Sequence, residues 1–117
     1  MNTEQLIRTS VEKVQNNIKI VRGPLFKFDE NNAIIECDAI GAVMISKNYH
    51  KLKFEKGWFE EVCDLLNVSE LWLKSFWLGW DTGNKRLIEI HGKGGTITYS
   101  VDEASLLGIK LFKEYVK

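Results

Sequence analysis

The chain has 117 residues, of which 44% are hydrophobic, and its 16 basic side chains balance 16 acidic ones. A chain of this length has the size of one domain and buries roughly two-thirds of its unfolded surface, so stability requires no disulfide or metal. The zero net charge argues against a dedicated nucleic-acid-binding module, and the hydrophobic content with a single proline argues against disorder.

The sequence predicts a cytoplasmic protein. Residues 1–6 contain neither the basic nor the apolar region of a secretory signal, and the longest apolar run, Ala39–Ile45, is far shorter than the ~20 residues of a membrane helix. Cys37 and Cys63 lack the second pair that a four-cysteine zinc site needs and are expected to be reduced. We therefore expect no metal, no cofactor and no membrane partner. Thirteen lysines against three arginines indicate an AT-rich coding source, such as a low-GC bacterium, its phage or another mobile element.

In the first half of the chain, an apolar stripe at helical spacing predicts a helix over 3–17. Short β-favouring runs follow, and they predict a hairpin of Leu25–Asp29 with Ala33–Glu36. Residues 18–21 fit either a further strand or a continuation of the helix. Cys37–Ile45 is apolar on every side, and an aspartate able to cap its start favours a short central helix over a buried strand.

The second half is predicted to be mainly helical. The helices given by apolar spacing cover 58–66, 70–80 and 101–116. Asn67 and Ser69 are alternative N-caps for the second of them, and Ser100 with Glu103 forms an S-x-x-E capping box for the third. The polar segment 47–56 carries a net charge of +3 and is more simply a solvated linker than a nucleic-acid contact, so a nucleic-acid partner is not expected. The fold predicted is a single α+β domain, mostly helical, with about five helices and one or two short hairpins.

Four short motifs occur in an order that resembles a group of short uncharacterised bacterial and phage proteins. They are Arg22-Gly23-Pro24, Cys37-x-x-x-Gly41-Ala42, Leu71-Trp72-Leu73 running to Phe76, and Gly79-Trp80-Asp81. The similar proteins carry a C-x-(L/I)-G-A helix and a later G-(F/W)-D turn, and the resemblance spans residues 22–116. This chain departs from them by a longer segment over 87–99. The resemblance implies no function.

Cys37, His91 and Asp81 are the candidate catalytic residues. Cys37 precedes the predicted central helix, whose N-terminus would favour the thiolate, the reactive form. His91 could act as its base, and Asp81 or Glu89 could orient the imidazole. The alternative is that Cys37, like Cys63, is a small buried hydrophobic residue, because the acidic neighbours of Cys37 oppose a thiolate. The sequence favours this alternative, and with it a protein that is not an enzyme.

A glycine-rich segment offers a second candidate site. Arg86–His91 and Thr96–Ser100 are predicted to form a hairpin whose four-residue loop is 92–95. In the segment Gly92–Thr96, backbone N–H groups could approach a phosphate of a small ligand or nucleotide, and the residues concerned are Lys93, Gly94 and Gly95. The segment matches neither a Walker loop nor a dinucleotide fingerprint, so a plain hairpin loop is the simpler interpretation.

The aromatic helix over 70–80 is the strongest functional signal. Its binding-surface candidates are Trp72, Phe76, Trp77 and Trp80. A core role is the simpler interpretation for Trp77 and Trp80, but the apolar arc is wider than a single buried stripe, and tryptophan is enriched at interface hot spots. Trp72 lies at the edge of the arc, so we expect it to contact a second copy of the chain or another protein. The leading hypothesis is a small interaction or accessory protein that binds through this helix.

Overall fold

The computed structural model describes residues 1–48, 57–84, 88–91, 94–97 and 101–116. Its helices are α1 (Thr3–Val14), α2 (Ala39–Ser46), α3 (Trp58–Leu66), α4 (Glu70–Thr82) and α5 (Asp102–Tyr115). Its strands are β1 (Lys19–Ile20), β2 (Phe26–Phe28), β3 (Ile34–Cys37), β4 (Ile88–His91) and β5 (Gly94–Ile97). The predicted α+β fold, mostly helical, is confirmed.

Local capping explains where most helices begin and end. Asn2 forms a capping box with Gln5 at the start of α1, which ends at Val14, earlier than the predicted end at residue 17. Ser69, the alternative N-cap, accepts a hydrogen bond from the backbone N–H of Trp72 and starts α4. Gly83 ends α4 in the left-handed conformation that glycine adopts without strain.

Ser100, the N-cap of the capping box predicted for the last helix, lies outside the described residues. The N-cap of α5 is Val101, whose side chain forms no capping hydrogen bond, and the helix begins at Asp102. Asp102 and Glu103 lie in its first turn, where their negative charges interact favourably with the helix dipole. The predicted S-x-x-E motif therefore begins one residue before the N-cap of the helix that forms.

A three-stranded sheet brings the first half of the chain together. Its order is β1-β3-β2, with β1 parallel and β2 antiparallel to β3. The hairpin predicted from the first turn signals is thus confirmed, and of the two alternatives left open for residues 18–21, the strand is the one that forms. The predicted central helix is also confirmed, because α2 follows β3 directly.

One hydrophobic core draws on all five helices and on the three-stranded sheet. Its largest fully buried side chains are Trp80, Phe76, Ile7, Ile40, Met44, Leu73 and Leu111. Helix α4 packs closely on α5. The close approach of the two helices is possible because Gly79 and Gly108 at this contact have no side chains. A Cβ on either glycine would overlap backbone atoms of the opposite helix. The pair of helices is therefore held backbone to backbone.

Candidate functional site

A groove lies where α5 passes the N-terminus of α1 and the first turn of α4. Its volume is about 470 Å³, and its lining residues are Asn2, Thr3, Glu4, Trp72, Glu103, Leu106, Leu107 and Lys110. We call it the Trp72 groove. Leu106 on its wall has 50% of its surface exposed.

The walls of the Trp72 groove are fixed by contacts between helices. The Thr3 hydroxyl donates a hydrogen bond of 2.9 Å to the carbonyl of Leu66, which holds the start of α1 against the end of α3. The Arg8 guanidinium donates hydrogen bonds to the Glu4 carboxylate on α1 and to the Glu114 carboxylate on α5. These bonds place α1 along α5, so the groove is formed before any partner arrives.

Trp72 is the half-buried floor of this groove. Its ring stacks on that of Phe76, with centroids 5.7 Å apart and planes 5° from parallel. The indole N–H groups of Trp77 and Trp80 donate to Asp38 Oδ2 and to the Val21 carbonyl. Across the part of the chain that the structure describes, no acceptor for the Trp72 indole N–H is present. A tryptophan with a free donor at a groove is suited to contact another molecule.

Two of the four predicted contact residues belong to the core instead. Phe76 and Trp80 are both fully buried, and the Trp80 ring meets Phe112 of α5 edge-on at 5.4 Å. Placing them on a binding surface was wrong because helical spacing defines an arc without showing what covers it. Trp77 is half-buried and packs against Trp58 and Phe59 of α3. Trp72 therefore remains the aromatic side chain of α4 that lines the groove.

Leu106 is the residue lining the groove that sequence reasoning did not identify. The predicted face of the last helix comprised Ala104, Leu107, Leu111 and Tyr115, and of these Ala104 and Leu111 are fully buried. Leu106 lies one residue step, about 100°, from Leu107, outside the face that packs on α4. The sequence signal for Leu106 is a leucine that lies outside an already complete buried stripe, on a side of the helix whose other residues are mostly polar.

Cys37 does not have the properties of a nucleophile. It ends β3 next to the N-terminus of α2, as the sequence predicted, but its side chain is fully buried. Burial, followed by the charge of Asp38, raises the pKa of Cys37 to about 12, so the thiol is protonated near neutral pH. Burial outweighs the favourable helix terminus and disfavours the thiolate, in agreement with the alternative that the sequence favoured. Burial likewise raises the pKa of Cys63, to about 11.

Asp38 has a structural role at the start of α2. Its carboxylate accepts hydrogen bonds of 2.8 Å from the Gly41 backbone N–H and from the Trp77 indole. Burial raises its pKa well above the usual range, and the nearby charge of Asp81 adds to this effect. The side chain links the end of the sheet, the start of α2 and the middle of α4.

Asp81, the third candidate catalytic residue, fastens the loop after β1 to α4. It accepts a hydrogen bond of 3.3 Å from the backbone N–H of Gly23. Arg22 in the same loop donates to the Trp80 carbonyl, and its guanidinium lies 3.7 Å above the Phe112 ring. These bonds show that Asp81 holds the loop against α4. The predicted catalytic set instead required Asp81 to orient the imidazole of His91.

Asp81 makes the stability of the fold depend on pH. Burial is the main cause that raises its pKa from 3.8 to about 6, against the lowering effects of Gly23 and Arg22. The folded state thus binds this proton more tightly than the unfolded state. The resulting stabilisation is complete below pH 3.8 and is lost as the pH rises through 6.

We predict that Asp81→Asn gains stability relative to the wild type as the pH rises from 5 to 7.5. Because Asp81 is only partly buried, the relative gain is discounted to about 1 kcal/mol. Urea unfolding of both proteins at the two pH values measures it. Loss of the Asp81 charge also lowers the pKa of Asp38, which acts in the same direction. An identical difference between the two proteins at both pH values would contradict the assigned environment of Asp81.

The remaining candidates fall partly outside the described structure. His91 ends β4, where the backbone alone is described, and Lys93 lies outside the described residues. The predicted four-residue loop is wrong, because His91 pairs with Gly94 and Ile90 with Gly95. Gly94 and Gly95 thus belong to β5, since glycine clusters mark turns only where strand pairing does not extend over them.

Among the described residues, no cluster of histidine, cysteine, aspartate and glutamate side chains could hold a metal ion. No helix in these ranges is long and apolar enough to cross a membrane. Comparison with protein-family models, with curated proteins and with solved structures found no match. The resemblance to short bacterial and phage proteins therefore stays a prediction, and the function is argued from the geometry of the chain itself.

Proposed function

We propose that this chain is a protein-binding module whose contact surface is the Trp72 groove. The observation that carries the proposal is the exposed Leu106 beside a tryptophan whose indole N–H has no acceptor in the described residues. Contact with a partner would remove the apolar surface from water and supply the acceptor. Both gains favour a bound state over the free one.

The shape of the groove favours a protein partner over a small molecule. Small-molecule sites are concave and enclose most of their ligand, whereas the Trp72 groove has its apolar residues on an open wall. Apolar Trp72, Leu106 and Leu107 share its lining with the charged side chains of Glu4, Glu103 and Lys110. Protein interfaces combine apolar contacts with polar and charged ones in this way.

The cytoplasm is the compartment we propose for this interaction. The two cysteines are both free in the structure, and both are buried away from oxidants. Free thiols without a disulfide partner suit a reducing compartment.

The experiment that tests the proposal places a photo-cross-linking amino acid at position 106. The matched control places it at position 35, because Ile35 is 40% exposed and lies on β3, away from the groove. Each purified variant is irradiated alone and in an extract of the source cells. We expect a discrete protein conjugate from position 106 and none from position 35. Equal yields from the two positions, or no conjugate from either, would overturn the proposed function.

A further inference from the structure

We propose that the Trp72 groove binds a second copy of this chain, with the two α5 helices antiparallel across a two-fold axis near Leu106 and Leu107. This inference rests on the proposed function and names the partner at that same surface. Two-fold pairing brings the same patch of both copies together, so the patch must be complementary to itself. The groove wall on α5 meets this requirement.

The side chains that α5 contributes to the groove form a single stripe. Glu103, Leu106, Leu107 and Lys110 stand at positions i, i+3, i+4 and i+7, which share one face of a helix. The face of α5 with Ala104, Gly108 and Leu111 is buried in the core, and the stripe lies on its flank, about 110° around the helix. Leu107 packs partly against the core, whereas Glu103, Leu106 and Lys110 are exposed.

The order of charges along the stripe is what selects a second copy. An acidic residue begins it, two leucines form its centre, and a basic residue ends it. When two such stripes run antiparallel, Glu103 of one copy faces Lys110 of the other at both ends, and the leucines meet in the middle. A parallel arrangement would instead place like charges opposite each other.

The existing contacts of the two end residues permit this exchange. Glu103 is exposed, and Lys110 reaches Glu4 at 3.9 Å with 57% of its side chain exposed. An exposed ion pair of this length contributes little to stability, so Lys110 can turn toward a second copy at low cost. Two leucines and the edge of Trp72 cover less than the roughly 800 Å² per partner of a standard interface. The dimer is accordingly weak and forms with rising concentration.

Charge exchange on α5 tests the antiparallel dimer directly. In a dimer of Glu103→Lys, lysines face lysines at both ends, and in a dimer of Lys110→Glu, glutamates face glutamates. In a mixture of the two variants, every end of the mixed dimer pairs opposite charges again. Sedimentation equilibrium is measured for the wild type, for each variant alone and for their equimolar mixture. Lys13→Glu, the same charge change at an exposed position of α1, is the control.

We expect each single variant to dimerise at least tenfold more weakly than the wild type and the control, and the mixture to recover wild-type association. Recovery on mixing also shows that both variants are folded. A mixture no stronger than its components would overturn the antiparallel dimer, and so would a wild type that stays monomeric at millimolar concentration. If position 106 still cross-links to another protein, the proposed function stands and only the second copy is excluded. If it cross-links to nothing, both fail.

Discussion

Replacing Gly108 by alanine is expected to lower the free energy of unfolding by about 3 kcal/mol. A Cβ at this position would overlap the Phe76 carbonyl oxygen and approach the Trp80 backbone nitrogen to 2.7 Å, and neither atom can move without displacing α4. The sign of the change in the free energy of unfolding distinguishes a close contact between the two helices from open space around Gly108. In a helix with free space around it, the same change would add about 1 kcal/mol of stability, because alanine is the better helix former.

Urea unfolding of Gly108→Ala measures the effect, with Lys113→Ala on the same helix as the control. Lys113 is exposed, and its replacement should change the free energy of unfolding by less than about 0.5 kcal/mol. A Gly108→Ala variant as stable as the wild type would show that α4 and α5 lie further apart than described. The stripe of α5 that lines the groove would then lose its fixed position beside Trp72.

Trp80→Ala is the second change with a large expected effect, about 3–5 kcal/mol of lost stability. Trp80 is fully buried, packs edge-on against Phe112 and donates its indole N–H to the Val21 carbonyl at 3.0 Å. The substitution leaves a cavity and an unpaired carbonyl, and both raise the free energy of the folded state.

The matched control for Trp80→Ala is Trp72→Ala, which removes the same side chain eight positions earlier on the same helix. Trp72 is only partly buried, so its removal leaves a smaller cavity than the removal of the fully buried Trp80. We expect the Trp72 variant to stay folded in urea concentrations that unfold the Trp80 variant. Equal losses of stability would place Trp72 in the core and contradict its role in the groove.

The sequence predicted the helices well because their signals are local. Apolar spacing located α1, α3, α4 and α5, and a capping aspartate favoured α2, while Ser69 and Gly83 bound α4 as capping preferences require. Strand β1 was left open, since its two residues are stabilised by parallel pairing with β3, a contact distant along the chain. The glycines of β5 were assigned to a loop for a similar reason, because strand pairing outweighed local propensity.

The candidate site was predicted in part. Trp72 at the edge of the aromatic arc was a sound choice, whereas Phe76 and Trp80 are core residues because α5 crosses α4 directly over them. That crossing depends on Gly79, Ser105 and Gly108, three small residues whose effect on helix distance is clear only when the two helices are placed together. Leu106 was missed because the close crossing determines which side of α5 is left uncovered.

The most direct test of the groove as a protein contact surface is cross-linking from position 106 in a chain that also carries Trp72→Ala. The hot-spot character of tryptophan predicts a loss of about 2 kcal/mol in association, roughly a 30-fold weaker complex. We therefore expect the conjugate formed from position 106 to fall by at least tenfold, while circular dichroism shows the variant folded. An undiminished conjugate in this folded variant would contradict the assignment of Trp72 and the groove around it as the binding surface.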